Sequence, residues 1–191
     1  RRVTGVELGC DGYGFDLVFG STPDAAAVHI ATRYNGLYMV YNVAAAFFAA
    51  RELGVDAAHL QPTLDAYVPA GGRMGRWEIA GRTVEANLAK NPVGFDRQIQ
   101  SIKTAGGRLC AFFLNDNDAD GHDVSWIYDV DFERIADTTG LVAFAGGTRA
   151  HDMQVRLKYA GIDATIISNV EQAIGAVGDE AAGDTFYAVA N

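Results

Sequence analysis

The sequence predicts an α/β fold: an open, mostly parallel sheet with helices on both faces, preceded by a short β-rich segment. Two observations carry the prediction. Beyond residue 80, short apolar runs of β-forming residues alternate with amphipathic stretches of helical period, the pattern of strands joined by crossover helices that cover both faces of a sheet. With 49% hydrophobic and 10% aromatic residues in a chain of 191 and a mean hydropathy of +0.03, there is ample core material but no long apolar run of the kind that spans a bilayer.

Each element follows from its local sequence. Residues 14–34, GFDLVFGSTPDAAAVHIATRY, read as two β segments around the turn Ser21-Thr22-Pro23-Asp24, since Val, Ile, Phe and Tyr lie on either side of turn-forming residues. From Asn42 the period changes: YNVAAAFFAARELG is a helix stopped by Gly54, and a second helical stretch runs over about 59–67. The Gly-rich PAGGRMG makes a loop. Then follow a strand at 82–88, a helix at 94–104, a strand at 108–114, a short helix near Phe132, a strand at 141–145 and a helix at 149–160. A strand at 164–168, a helix at 170–177 and a strand at 185–189 complete the order.

A net charge of −9 and a pI near 4.7, without any Lys/Arg run, argue against a nucleic-acid surface or a patch for anionic membranes. Two cysteines in unrelated contexts, Cys10 and Cys110, build neither a disulfide framework nor a zinc site and suit a reducing cytoplasm. No signal peptide is visible. The chain opens without Met and ends at DTFYAVAN, so it is expected to be a piece of a longer protein.

In a sheet of this kind ligands lie at the carboxyl ends of the strands, and four loops are expected there: 71–75, 90–95 (KNPVGF), 115–123 and 146–149 (GGTR). The third is the richest in chemistry. LNDNDADGHDVSWIYDVDF puts four aspartates between Asp116 and Asp123, and carboxylates so crowded repel one another unless a cation, a base or hydrogen-bond donors compensate them. Asp116, Asp118 and Asp120 alternate before Gly121, as at the start of a calcium loop, but the twelfth position is Ile127 where a bidentate Glu belongs. A calcium-binding module is therefore a disfavoured alternative, and a polar turn with Asx side chains capping backbone donors is another. In KNPVGF, Lys90, Asn91 and the helix N-terminal amides can hold a nucleotide or phosphate, or Asn91 and Pro92 can simply start a helix. GGTR is either a phosphate-facing turn or a plain connector. With no GxxxxGK[ST], and with Gly12-Tyr13-Gly14 lacking a third glycine, the chain alone carries no complete ATP site. Cys110, within LCAFFL, reads as a buried inert thiol. His29, His59 and His151 read as structural or solvated, and His122 adjoins the Asp loop with the other histidines remote in sequence.

The succession GLYMVYNVAAAFFAARELGV, PAGGRMGRWE, LAKNPVGFD, LNDNDADGHDVSWIYDVDFE and GGTRAHDMQVRLKYAG resembles, in order, the MurT family, the Mur-ligase-like subunit of the lipid II isoglutaminyl synthase. The likeness covers about Gly36 to the end. It implies that residues 1–35 close a central Mur-ligase ATPase domain and that 36–191 form a Mur ligase C-terminal domain of MurT type. The P-loop, with most of the ATP and Mg2+ site, and a zinc-binding ribbon would lie upstream of Arg1.

The implied activity is an ATP-dependent carbon–nitrogen ligation performed as a heterodimer with a GatD-type glutaminase, in the cytoplasm at the inner face of the membrane. ATP activates the D-glutamate α-carboxylate of lipid II, and ammonia from glutamine converts it to D-isoglutamine; an acyl phosphate survives only where the site excludes water. GatD supplies Cys and His, and the family's DGxD aspartate, here Asp123, completes the triad by accepting the His ring N–H. Asp116 and Asp120 are loop-shaping residues on this reading, and either is the alternative to Asp123 in the triad. For the nucleotide the resemblance implies Asn42, Arg73, Lys90 and Asn91. Asn42 is the second Asn of a GxxNxxN element that begins at Gly36 and has Met39 in place of the first; Arg73 belongs to a GR motif for which Arg76 is the alternative; Lys90 and Asn91 lie in KNP. No metal ligand is implied in this chain, which by itself is expected to be inactive. The alternative, a nucleotide-binding domain of an ordinary Mur-type amino-acid ligase, would lack the DGxDVSW element and the glutaminase partner.

Overall fold

The computed structural model describes residues 1–9, 12–22, 24–33, 37–67, 75–178 and 183–191. They belong to two compact units, Arg1–Val68 and Pro69–Asn191. The first holds an antiparallel sheet of β1 (Arg2–Gly9), β2 (Gly12–Val18) and β3 (Ala27–Thr32), in that order. β2 and β3 are the two expected β segments. β1 was not foreseen: apart from half-buried Val3 its residues from Arg2 to Glu7 are exposed, and the pairing with β2 is interrupted between Thr4 and Glu7, where Gly5 takes φ +59°, so the alternation that announces a strand is broken by a bulge.

Helix α1 (Leu37–Glu52) packs on β2, and α2 (Leu60–Ala66) on β3. α1 buries Val40, Val43, Ala44 and Phe47, a stripe at helical spacing, and Phe48 meets Phe19 edge-on at 5.3 Å between ring centroids. In α2, the Gln61 amide exchanges two hydrogen bonds with the Ala31 backbone, each at 2.9 Å. Both helices pack against strands of the three-stranded sheet, and the compact units part between Val68 and Pro69.

The second unit is the expected α/β sheet. Its elements are β4 (Gly75–Ile79), β5 (Arg82–Leu88), α3 (Pro92–Thr104), β6 (Leu109–Phe113), α4 (Glu133–Ala136), β7 (Val142–Gly146), α5 (Ala150–Tyr159), β8 (Ala164–Ile166), α6 (Val170–Val177) and β9 (Phe186–Ala190). The strand order is β4-β5-β9-β6-β7-β8; β4 pairs antiparallel with β5 and the remaining pairs are parallel. β5 to β6, β6 to β7 and β7 to β8 all step the same way along the sheet, so right-handed crossovers place their connections on one face, and the return from β8 to β9 puts α6 on the other. The cores agree. Phe95, Ile99, Ile102, Phe132, Ile135, Met153 and Leu157 pack with Cys110 and Phe112 on the first face, whereas Ala173 and Ile174 of α6 pack with Leu109, Ala111, Phe144 and Phe186 on the second. β6, apolar on both faces, is the centre. β4 is the other strand not foreseen: it is joined to β5 by Ala80-Gly81, both at positive φ, 50° and 76°, the two-residue hairpin turn that matches strand twist.

Candidate functional site

The parallel strands β5, β9, β6 and β7 end on one edge of the sheet, so the segments that follow them are neighbours: Lys90–Asn91, Asn191, Asn115–Asp123 and Thr148–Arg149. Asn191, 5% exposed, extends the ladder with its side chain. Its amide donates to Asn115 O at 2.9 Å and its Oδ1 accepts the Asn115 N–H at 2.7 Å. Leu114 N donates to Gly146 O at 3.0 Å and Arg149 N to Leu114 O at 2.9 Å, while Asn115 Oδ1 accepts the Thr148 N–H at 3.2 Å. The turn between them closes only with glycine: Gly147 has φ +90°, and a Cβ there would stand 2.3 Å from Leu114 O.

On this base the four aspartates are separated, and three of them, Asp116, Asp120 and Asp123, have their own hydrogen-bond donors. Asp116 accepts the Thr148 hydroxyl at 2.7 Å and Arg149 at 3.3 Å; chiefly the Thr148 bond, then Arg149, holds its carboxyl below the ordinary 3.8. Asp120 accepts the Asn117 amide at 3.0 Å and the Lys90 ammonium at 3.1 Å, and these, Asn117 first, lower its pKa. Asp118 projects fully into solvent, 3.6 Å from His122 Nε2. His122 Nδ1 lies 3.0 Å from Asp116 O.

Asp123 is exposed. Its Oδ1 accepts the Ser125 N–H at 2.9 Å, and the Ser125 hydroxyl and then its amide lower the Asp123 pKa, so the group is a carboxylate at neutral pH. Immediately beyond it Val124 and Ile127 enter the core at 8% and 0% exposure. The aspartate thus stands between a turn tied at Asp120 and a buried anchor.

The sequence-predicted nucleotide residues fall in both units. Asn42 lies exposed on α1, its amide 4.0 Å from the Met39 sulfur. Arg73 lies outside the described residues; Arg76, the alternative, is on β4 with its guanidinium 3.9 Å from Glu85. Asn91 caps α3, its Oδ1 accepting the Gly94 N–H at 2.8 Å with Pro92 opening the helix. Lys90 crosses to the Asp loop, donating to Ala119 O at 3.0 Å as well as to Asp120. Cys110 is the expected inert thiol, burial pushing its pKa up to about 12. Asp116, Asp118 and Asp120 face different partners, and among the described residues no three His, Cys, Asp or Glu side chains converge as metal ligands.

Sequence reasoning missed Thr148, Asn191 and Arg156. Arg156 of α5, 5% exposed, reaches back to the segment that follows Asp123: it donates to Ile127 O at 3.2 Å and Val130 O at 2.6 Å, forms a bidentate pair with Glu133 at 3.0 and 2.9 Å, and stacks 5.3 Å from the Phe132 ring centroid. A signal was present. Arg156 occupies the stripe of Met153, Leu157 and Ala160, where an arginine is buried only if it is fully partnered.

The fold and this strand-end site define an α/β domain of the Mur ligase type. Over 98% of its length the chain superposes on a MurF from Acinetobacter baumannii with TM-score 0.70 at 18% identity, covering 41% of that chain, and on a Mycobacterium tuberculosis folylpolyglutamate synthase complexed with ADP with TM-score 0.67 at 18% identity, covering 44%. At such identity these likenesses establish fold alone. The family model for the MurT ligase C-terminal domain matches residues 88–191. The subunit MurT of the glutamine-hydrolyzing lipid II isoglutaminyl synthase of Staphylococcus aureus (strain COL) is 36% identical over 133 residues, 69% of this chain. Its counterpart from Streptococcus pneumoniae (strain ATCC BAA-255 / R6) is 38% identical over 144 residues, 73% of this chain. The chain belongs to the MurT family, and it spans 30% and 32% of the lengths of those two relatives. No helix among the described residues is long and apolar enough to cross a membrane.

Proposed function

We propose that this chain is part of the ligase subunit of a lipid II isoglutaminyl synthase, and that its Asp loop serves a glutaminase subunit of GatD type. Family membership supplies the reaction class. The observation that carries the role of the loop is Asp123: an exposed, ionised carboxylate on a braced loop, in a chain whose described cysteine is buried and protonated. Such a carboxylate suits a His on a partner, fixing its tautomer and stabilising the imidazolium while the partner's Cys attacks glutamine. The ammonia released would meet the D-glutamate α-carboxylate of lipid II, activated by ATP with Mg2+ on the full-length subunit at the cytoplasmic face of the membrane.

Asn42, Arg73, Lys90 and Asn91 are assigned to the nucleotide side. Lys90 suits a phosphate by charge. Asn91 acts by fixing the start of α3, whose first amides then point outward. Neither the described cysteine nor the described carboxylates suit a zinc ribbon, so zinc is assigned to another part of the full-length protein. A calcium role is disfavoured, because Arg149 and Lys90 already offset the charges of Asp116 and Asp120, and Thr148 and Asn117 donate hydrogen bonds to them.

The test is glutamine hydrolysis by the cognate glutaminase bound to the full-length subunit, with Asp123→Asn against wild type and complex formation followed by gel filtration. Loss of hydrolysis in an intact complex is expected. Unchanged hydrolysis overturns the role of Asp123.

A further inference from the structure

Lys90 is the one cation on the loop after β5, and its ammonium is spent on the loop after β6, at both Ala119 O and Asp120. Asp120 is largely buried, its side chain 13% exposed against 44% for Lys90, and its other oxygen takes the Asn117 amide at 3.0 Å. The backbone of the same turn is closed by Asp120 N and Gly121 N, which both donate to Asn117 O, at 2.8 and 3.1 Å, with Gly121 at φ +85°. Upstream, the loop is pinned through Asn115 to Asn191 and through Asp116 to Thr148 and Arg149. Downstream, Val124 is in the core. Within the middle of the loop His122 Nδ1 also lies 3.0 Å from Asp116 O, and the Lys90 contact is what ties that turn, three residues before Asp123, to the loop after β5.

We propose that Lys90 is a positioning residue for the Asp123 carboxylate: through Asp120 and Ala119 O it fixes the turn that presents Asp123, so that the β5–α3 loop sets the efficiency of the partner's glutamine hydrolysis. The inference rests on the reading of Asp123 given above. It differs from a phosphate-binding role for Lys90 in what it predicts when no ATP is present.

The experiment measures kcat and KM for glutamine in the full-length complex without ATP, for Asp123→Asn, Lys90→Met, Asp120→Asn and the Lys90→Met/Asp120→Asn double variant, with the KM for ATP taken separately in the synthetase reaction. Misplacing a catalytic group by about 1 Å costs up to about a hundredfold, so a loosened brace is expected to lower kcat for glutamine about tenfold. Lys90→Met and Asp120→Asn should each do so with the KM for glutamine unchanged. The double variant should be no worse than either, because residues that act through one contact are non-additive. Lys90→Arg, which keeps a cation in reach, should recover most of the rate. If Asp123→Asn abolishes hydrolysis but Lys90→Met leaves it unchanged and raises only the KM for ATP, Lys90 is a nucleotide ligand and the positioning role is overturned while the Asp123 reading stands. Additive losses in the double variant also overturn it. Unchanged hydrolysis in Asp123→Asn removes both.

Discussion

Replacing Arg156 with Met should destabilise the unit Pro69–Asn191 far more than its ion pair alone would suggest. Met keeps most of the aliphatic stem and removes the guanidinium. The bonds to Ile127 O and Val130 O contribute about 1 kcal/mol each, at the ordinary level for a hydrogen bond, because both carbonyls retain a backbone donor: Val130 N at 3.3 Å and Phe132 N at 3.1 Å. Glu133 has a side chain 51% exposed, so solvent screening holds the pair to about 1 kcal/mol. The stack on Phe132 adds about 0.5–1 kcal/mol. The expected loss is therefore about 3–4 kcal/mol, or a fall of roughly 1–3 M in the urea midpoint for a unit of this size. Tryptophan fluorescence reads it selectively, since both tryptophans, Trp77 and Trp126, lie in the second unit and Trp126 packs 5.4 Å from the Phe95 ring centroid. Glu133→Gln should cost about 1 kcal/mol or less. A loss below about 1 kcal/mol for Arg156→Met, or equal losses for the two variants, would refute the assignment of the energy to carbonyl anchoring.

Three further outcomes follow from the same geometry. Gly147→Ala places a Cβ 2.3 Å from Leu114 O at φ +90° and should cost about 3 kcal/mol or more in urea unfolding, strain and clash together. Cys110, its pKa pushed up to about 12, carries about one thiolate in ten thousand at pH 8, so peptide mapping after iodoacetamide should find it unmodified in the folded protein and alkylated in urea. Asp116, Asp120 and Asp123 have folded pKa values below the ordinary 3.8 and Glu133 below 4.5; their stabilisation is therefore complete above those values and is lost as pH falls through the lowered ones. The thermal midpoint should accordingly drop on acidification below about pH 4, and Asp116→Asn should flatten that dependence.

Where local period and burial agree, sequence and structure coincide. The helix expected at 170–177 is α6 (Val170–Val177) to the residue, because Asn169 caps it, accepting the Gln172 N–H at 2.8 Å, and its apolar residues face one side of the sheet. β6 was legible because LCAFF is buried on both faces, as only a central parallel strand is. The two missed strands are edge strands. β1 and β4 are mostly exposed, and their partners supply the pairing that their own residues do not announce. The turn that makes β4 a hairpin uses Ala80 at φ 50°, where Asn or Asp would have signalled it.

The site was legible as a loop but not as a mechanism of order. Four aspartates from Asp116 to Asp123 pose a question of compensation, and composition alone admits calcium, a partner base or internal donors as the answer. The answer in the structure is internal donors: Asn117 and Ser125 of the loop itself serve Asp120 and Asp123, and the others, with the bonds that set Asn115, come from three other strand ends. Thr148 and Arg149 follow β7, Lys90 follows β5 and Asn191 follows β9; they lie at separations of 29 to 76 residues from the loop atoms they hold, beyond any local pattern. What decides their meeting is strand order: β9 inserts between β5 and β6, so the last residue of the chain comes to stand beside Asn115. The same order explains why Asp123 is held differently. Asp116 is held by Thr148 and Arg149 and Asp120 by Lys90, all from other strand ends, with the Asn117 amide of the loop itself adding to Asp120, whereas Asp123 is bonded to Ser125, two residues away on its own turn, and keeps its carboxylate at the surface, as the proposed pairing with a partner's histidine requires.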